Sequence, residues 1–91
     1  MPFQQMFPRT FSVPSVRQHA PAQSGVYGIT NAREWVFIGQ TDNILESLLG
    51  HLGTALAERP TGFVYEVCGA GERGRRHEQL VREYRPVRVV S

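Results

Sequence analysis

The sequence predicts an α+β fold (α/β in the broader sense), with a small, mainly antiparallel three-stranded sheet flanked by helices. Apolar runs at residues 24–30 and 34–40 enclose a polar segment, which is typical of a β-hairpin. From residue 44 onward, apolar positions recur at helical spacing. A third β-like run at residues 62–68 precedes a second helical pattern at residues 72–84. The predicted order is therefore strand, strand, helix, strand and helix.

The composition is that of one small globular domain. The chain has 91 residues, of which 41% are hydrophobic and 20% charged, so a compact core is expected rather than disorder. The net charge of +2 does not by itself indicate nucleic acid as a partner. All ten basic residues are arginines, which suit phosphate, although genomic base composition is the simpler explanation of that usage.

The expected cellular setting is the cytoplasm. Cys68 is the single cysteine, which excludes an intramolecular disulfide and is compatible with a reducing compartment. No charged and then apolar leader opens the sequence, and no apolar run approaches the roughly 20 residues of a membrane helix. We therefore expect a soluble protein without a membrane partner, and the sequence does not predict its oligomeric state.

Residues 1–23 are predicted to form an N-terminal lead-in, partly irregular, before a domain at residues 24–91. Four of the six prolines lie in this lead-in, and proline limits regular structure. One short helix is expected at residues 15–19. Several apolar side chains are available to pack onto the domain, and a partly ordered arm is the alternative. They are Phe3, Met6, Phe7, Phe11 and Val13.

The hairpin strands are apolar on both faces. Because side chains alternate along a strand, Trp35 and Phe37 are expected on one face and Val36 and Ile38 on the other. Both faces therefore need a covering layer, which the two helices can supply.

The first helix is expected to begin near Asn43 and to end at the Arg59-Pro60 pair. Asn43 followed by Glu46 fits a capping box, while Thr41 or Asp42 are alternative caps. Proline disfavours a helical conformation at the residue before it, which sets the predicted end.

Two short motifs and a later helix carry a resemblance to a known family. Gly25-Val26-Tyr27 and Phe37-Ile38-Gly39 resemble the paired motifs of the GIY-YIG nuclease superfamily. Residues 78–86 resemble the helix that carries the family's acidic metal ligand, with the proline-containing tail after it. The resemblance spans about residues 24–89. It implies a GIY-YIG endonuclease-like fold and divalent-metal-dependent hydrolysis of phosphodiester bonds in DNA.

The resemblance assigns catalytic roles to three residues of this chain. Tyr27 matches the first motif tyrosine, which orients or activates the attacking water. Glu78 matches the glutamate that holds one Mg²⁺ or Mn²⁺ ion through its carboxylate. His51 occupies a position where the family often has a histidine, which can contact phosphate or move a proton.

Three positions depart from the family pattern. Phe37 replaces the second motif tyrosine and lacks its hydroxyl, and Val89 lies about where a supporting asparagine is expected. Ser47 falls where the first helix of the family carries an arginine that neutralises phosphate. Loss of that cation is expected to cost several kcal/mol of transition-state stabilisation, which is about 10²-fold or more in rate.

Each candidate also has an ordinary structural explanation. Tyr27 suits a half-buried strand, His51 the end of a helix, and Ser47 a helix surface. Glu78 has arginines three residues before it and four residues after it, Arg75 and Arg82, so a surface ion pair is the alternative to a metal ligand.

Arginines near the start of the second helix are the candidate nucleic-acid contacts. They are Arg73, Arg75 and Arg76. One of them can also replace the missing cation if it reaches the site.

Three functions follow from these residues. The favoured hypothesis is a GIY-YIG-type fold that associates with nucleic acid, expected to be DNA, with phosphodiester cleavage impaired or lost. The second is an active divalent-metal-dependent DNA endonuclease that binds Mg²⁺ or Mn²⁺. The third, from a different class, is a protein-interaction or oligomerisation module that uses apolar surface of the N-terminal lead-in.

Overall fold

The computed structural model describes residues 8–31, 34–53 and 60–86, which form four strands and three helices. The strands are β1 (Arg9–Thr10), β2 (Gly25–Thr30), β3 (Trp35–Thr41) and β4 (Gly62–Val67). The helices are α1 (Val13–His19), α2 (Ile44–Leu52) and α3 (Ala70–Tyr84). All described strand pairs are antiparallel, in the order β1-β4-β2-β3. The α+β class is confirmed. The described sheet has one strand more than the three that were predicted, and the additional strand is β1.

Strand β1 has only two residues, and it pairs with β4 through Arg9 and Thr10. A run this short carries no alternating pattern, so nothing in the sequence marks it as a strand. Next to it, the Phe11 N–H donates to the Thr61 carbonyl at 2.9 Å. The strand is therefore defined by its partner β4 and not by its own residues.

The sheet buries apolar side chains on both faces, as the sequence predicts. One face packs under α1 and α2, and its fully or nearly buried members include Val16, Tyr27, Ile29, Phe37, Ile44, Leu48 and Phe63. The opposite face packs against α3, and its members are Val26, Ile38, Val64 and Leu80. The predicted anchors of the second helix, Val81 and Tyr84, pack against that second cluster with Leu80. The helices therefore cover the two faces separately.

The expectation that Trp35 and Phe37 share one face, with Val36 and Ile38 on the other, is wrong, because Val36 lies in the cluster of Phe37 and Ile38 in that of Trp35. In the β2–β3 ladder, Ile29 pairs with Phe37 but the next residue, Thr30, pairs with Trp35. Val36 is thus an extra residue in β3, and such a bulge interrupts the alternation of side chains. Trp35 lies on the α3 side, where its ring is 4.2 Å from that of Tyr84, while Phe37 belongs to the opposite cluster.

The N-terminal lead-in contains the short helix that the sequence predicts. It begins at Val13 because the Ser12 hydroxyl accepts a hydrogen bond from the Ser15 N–H at 3.4 Å, as an N-cap. Phe11 and Val16 are buried in the same core as the sheet. The predicted domain boundary after residue 23 stays a prediction, and Phe3, Met6 and Phe7 lie outside the described residues.

The prediction that Asn43 caps α2 is confirmed, but the second bond of a capping box is replaced, because the Asn43 N–H donates to Oγ1 of Thr41 at 3.1 Å. The Asn43 side chain accepts from the Glu46 N–H at 3.0 Å, and the helix begins at the next residue. The described helix ends at Leu52, with Gly53 as its C-cap. The predicted end at the Arg59-Pro60 pair cannot be compared with the structure, because residues 54–59 lie outside the described part.

Helix α3 begins two residues earlier than predicted and ends at Tyr84. Its C-cap, Arg85, has a left-handed conformation with φ of 49°, and Pro86 follows. No helix in the described parts of the chain is long and apolar enough to cross a membrane.

Two ion pairs of α3 differ sharply in burial. Arg76 donates two hydrogen bonds to Glu66 of β4, at 2.7 and 2.9 Å, and both side chains are only 14% exposed. Hydrogen bonding to Glu66 raises the pKa of Arg76. Arg82 donates to Glu78 at 2.6 Å, but these side chains are 76% and 64% exposed. Only the first pair is shielded enough from water to stabilise the contact between helix and sheet appreciably.

We expect Arg76→Ala to lower the free energy of unfolding by about 2–3 kcal/mol, because Glu66 loses its partner in a largely buried position. Arg82→Ala is the matched control on the same helix and should lower it by less than about 0.5 kcal/mol. Urea denaturation of both variants measures the difference. Equal losses in the two variants would show that burial of the Glu66 pair contributes nothing.

Candidate functional site

Three aromatic rings from β2, β3 and α2 form the centre of the candidate site. The Tyr27 hydroxyl lies 2.8 Å from Nε2 of His51, within hydrogen-bonding distance. Phe37 contacts both rings, with ring centroids 5.8 Å from Tyr27 and 5.0 Å from His51. The structure therefore brings together two of the residues predicted as catalytic and one of the substituted motif positions.

Gly39 gives the Tyr27 ring its position. The two residues are paired across the β2–β3 ladder. A Cβ atom built on Gly39 would lie 2.6 Å from the Tyr27 hydroxyl oxygen and 2.7 Å from Cε2 of Phe37. These distances are shorter than any real side chain tolerates. The ring of Tyr27 thus crosses the backbone of β3 in space that only a glycine leaves open, which is a physical reason for the second motif glycine.

Both polar members of the cluster are neutral at neutral pH. Burial raises the pKa of Tyr27 from 10.0 to about 12, and its side chain is 5% exposed. Burial also lowers the pKa of His51 from its ordinary value of 6.5. Consequently the pair shares one hydrogen: either Tyr27 donates to Nε2 of His51, or an Nε2–H donates to the Tyr27 oxygen. In the first arrangement the Tyr27 oxygen still has lone pairs that can accept a hydrogen bond, while its own hydrogen lies in the bond to Nε2 of His51.

Ser47 is hydrogen-bonded within its own part of the fold. Its hydroxyl donates to Oγ1 of Thr41 at 2.6 Å. The same Thr41 oxygen accepts from the Asn43 N–H at 3.1 Å, so the three residues join the end of β3 to the start of α2. Where the family resemblance expects an arginine, this chain therefore has a small neutral group with a bonded partner.

Glu78 takes part in a contact separate from the aromatic cluster. Its carboxylate accepts a hydrogen bond from Arg82 on the exposed surface of α3. This is the surface ion pair that the sequence offers as the alternative to a metal ligand, formed with Arg82 and not with Arg75. Within the described residues there is no group of three or more His, Cys, Asp or Glu side chains that could hold a metal ion. The donors gathered around Tyr27 are a phenol and an imidazole, which do not fit Mg²⁺, since this ion prefers carboxylate and other hard oxygen ligands.

The three candidate nucleic-acid-binding arginines have different surroundings. Arg76 is paired with Glu66. Arg73 donates to the hydroxyl of Ser24 at 3.1 Å. Because this hydroxyl is neutral, the bond does not compensate the positive charge of Arg73. Arg75 is exposed. Their contact with nucleic acid stays a prediction, as do the catalytic roles of Tyr27, His51 and Glu78, and Val89 lies outside the described residues.

Helix α3 carries one residue directed at β3 that the sequence motifs did not single out. Nε2 of His77 lies 2.9 Å from the carbonyl oxygen of Ile38 in β3. The available signal was helical spacing, because His77 precedes Leu80, Val81 and Tyr84 by three, four and seven residues and so shares their buried face. That spacing assigns His77 to the sheet side of the helix and Glu78 to the solvent side.

The fold is shared with a known class of nuclease domain. No family model matches the sequence, and no curated protein matches it. Among solved structures, the magnesium-bound GIY-YIG N-terminal endonuclease domain of UvrC from Thermotoga maritima is similar, with a TM-score of 0.69 and 22% identity. That match covers 82% of this chain and 96% of the domain.

Point mutants of the same domain, each bound to the catalytic divalent cation, match equally well. A Tyr→Phe mutant has a TM-score of 0.69 and 24% identity over 82% of this chain and 96% of the other. An Asn→Ala mutant has a TM-score of 0.69 and 22% identity over 84% and 96%. The protein therefore has a GIY-YIG-like fold, which confirms the resemblance read from its motifs.

We expect Gly39→Ala to lower the free energy of unfolding by about 1–3 kcal/mol, because the new methyl group overlaps the Tyr27 and Phe37 rings. Gly50→Ala is the control, since a Cβ there meets nothing within 4 Å and α2 gains up to about 1 kcal/mol from the better helix former. Urea denaturation measures both. A Gly39→Ala variant as stable as the parent would contradict the described approach of Tyr27 to β3.

The raised pKa of Tyr27 predicts loss of stability at alkaline pH. The unfolded chain ionises this phenol at its ordinary value of 10.0, whereas the folded chain does so at about 12, so the stabilisation is complete below pH 10.0 and is lost as the pH rises towards 12. Titration of the tyrosinate absorbance should show a step near pH 12 that disappears in Tyr27→Phe. If Tyr27→Phe instead removed a titration step near pH 10.0, the Tyr27 hydroxyl would not be buried.

Proposed function

We propose that the protein associates with nucleic acid, expected to be DNA, through its GIY-YIG-like fold, and that its cleavage of phosphodiester bonds is impaired or lost. The observation that carries this proposal is the hydrogen bond from Ser47 to Thr41 at 2.6 Å. A neutral and already bonded hydroxyl occupies the position at which the family resemblance expects a phosphate-neutralising arginine.

The residues that remain support only part of the reaction. Tyr27 and His51 can orient a water and accept its proton, because both are neutral and bonded to each other. The transition state also gathers negative charge on phosphorus oxygens, and a fixed cation or metal is needed to stabilise it. Without the helix arginine the rate is expected to fall by about 10²-fold or more.

The cationic side chains available to a phosphate are fewer than the composition suggests. Of the four arginines of α3, Arg76 is paired with Glu66 of β4 and Arg82 with Glu78, which leaves Arg73 and Arg75. Since each phosphate contact adds to the salt dependence of binding, two such contacts predict a weak affinity that falls with rising salt. The solved neighbours are endonuclease domains, which supports nucleic acid as the partner class.

The test is binding and cleavage of nicked, branched and supercoiled DNA at low salt with Mg²⁺ or Mn²⁺ present. We expect a protein–DNA complex by fluorescence anisotropy and no product above that of Tyr27→Phe. Arg75→Ala should weaken the affinity several-fold and reduce the slope of log K against log salt by about one.

Arg9→Ala is the matched control, because Arg9 is an exposed arginine on β1, at the opposite edge of the sheet from β3. It should leave the affinity and the salt slope unchanged. Cleavage by the parent that is lost in Tyr27→Phe would instead identify an active endonuclease. A stable dimer without affinity for DNA would favour the interaction module.

A further inference from the structure

The first half of α3 lies along the part of β3 that supports the candidate site. His77 is bonded to the Ile38 carbonyl, and a Cβ atom on Gly74 would lie 3.7 Å from Oε1 of Gln40. One turn of α3 therefore runs beside residues 38–40. Gly39, in the middle of this segment, is the residue against which the Tyr27 ring packs.

Neighbouring residues of a helix point about 100° apart, so His77 and Glu78 cannot both face β3. The contacts of each residue decide which one does. His77 is half-buried against the strand, whereas the Glu78 side chain is 64% exposed and bonded to Arg82. The spacing agrees with this assignment, because the half-buried His77 precedes the fully buried Leu80 by three residues.

We infer that α3 presents the imidazole of His77, and not the carboxylate of Glu78, to the strand beneath the candidate site, so that neither of these two described residues places a Mg²⁺-binding carboxylate there. The inference deepens the proposed function and rests on it for the location of the site at Tyr27. It replaces the prediction that Glu78 is the metal ligand with a departure from the family resemblance, which implies a carboxylate ligand on this helix.

The hydrogen bond of His77 also defines its tautomer. A carbonyl oxygen only accepts, so the hydrogen of the bond to Ile38 belongs to Nε2. In the neutral imidazole the other nitrogen, Nδ1, then carries a lone pair. An imidazole nitrogen is a poor ligand for Mg²⁺, which prefers oxygen and keeps much of its water.

The experiment is a Mg²⁺ titration of the full chain without nucleic acid. Calorimetry measures the binding, and NMR measures the nitrogen chemical shifts of the histidine rings during the titration. The parent should show no saturable binding at millimolar Mg²⁺, and Glu78→Gln should be indistinguishable from it. His77→Glu places a carboxylate on the face directed at β3, and we expect it to bind Mg²⁺ at one site at least about tenfold more tightly than the parent.

Saturable one-to-one binding by the parent that disappears in Glu78→Gln would overturn the inference. A folded His77→Glu variant without any gain in affinity would also overturn it, because position 77 would then not be the position that α3 presents to β3. The ring nitrogen shifts give a measurement that needs no variant: His77 should show a protonated Nε2 that Mg²⁺ leaves unchanged. Since no DNA is present, a failure here is distinguishable from failure of the proposed nucleic-acid binding.

Discussion

The packing of the Tyr27 ring across the backbone of Gly39 is the constraint on which the candidate site depends. Tyr27 lies in β2, a central strand of the sheet, and Gly39 lies opposite it in the outer strand β3, so their contact depends on the register of the β2–β3 pair. The same contact leaves the hydroxyl where α2 can reach it with His51. The absence of a side chain at Gly39 therefore determines where the Tyr27 ring lies in a site built from two strands and a helix.

Most of the fold was predictable because its signals are local. The helical spacing after residue 44, the Asn43 cap and the apolar strands each depend on neighbouring residues only. The bulge at Val36 was not predictable, since any apolar residue of β3 suits either face of a sheet that is covered on both sides. Strand β1 was missed for a related reason, because two residues become a strand only when β4 lies beside them.

The site was predicted in part, and the limit lies in the direction of side chains on α3. The motif resemblance located Tyr27 and its neighbours, whose pairing follows from strand order. It did not distinguish Glu78 from His77. The two are neighbours in sequence, but His77 is directed at the sheet and Glu78 at the solvent. Nor did it show that Arg76 is bonded to Glu66, because that pair joins a helix to a strand ten residues earlier in the chain. Clusters of like charge in sequence are thus an unreliable measure of charge available to a ligand.

The bulge in β3 has a consequence for the behaviour of the protein in concentrated solution. Strand β3 is an outer strand of the described sheet, and a flat outer strand invites pairing with another chain. The extra residue at Val36 disrupts the regular spacing of its outward amides, and His77 is bonded to the Ile38 carbonyl from the side of α3. The opposite outer strand, β1, has only two residues to offer. Both borders of the described sheet therefore oppose edge-to-edge aggregation.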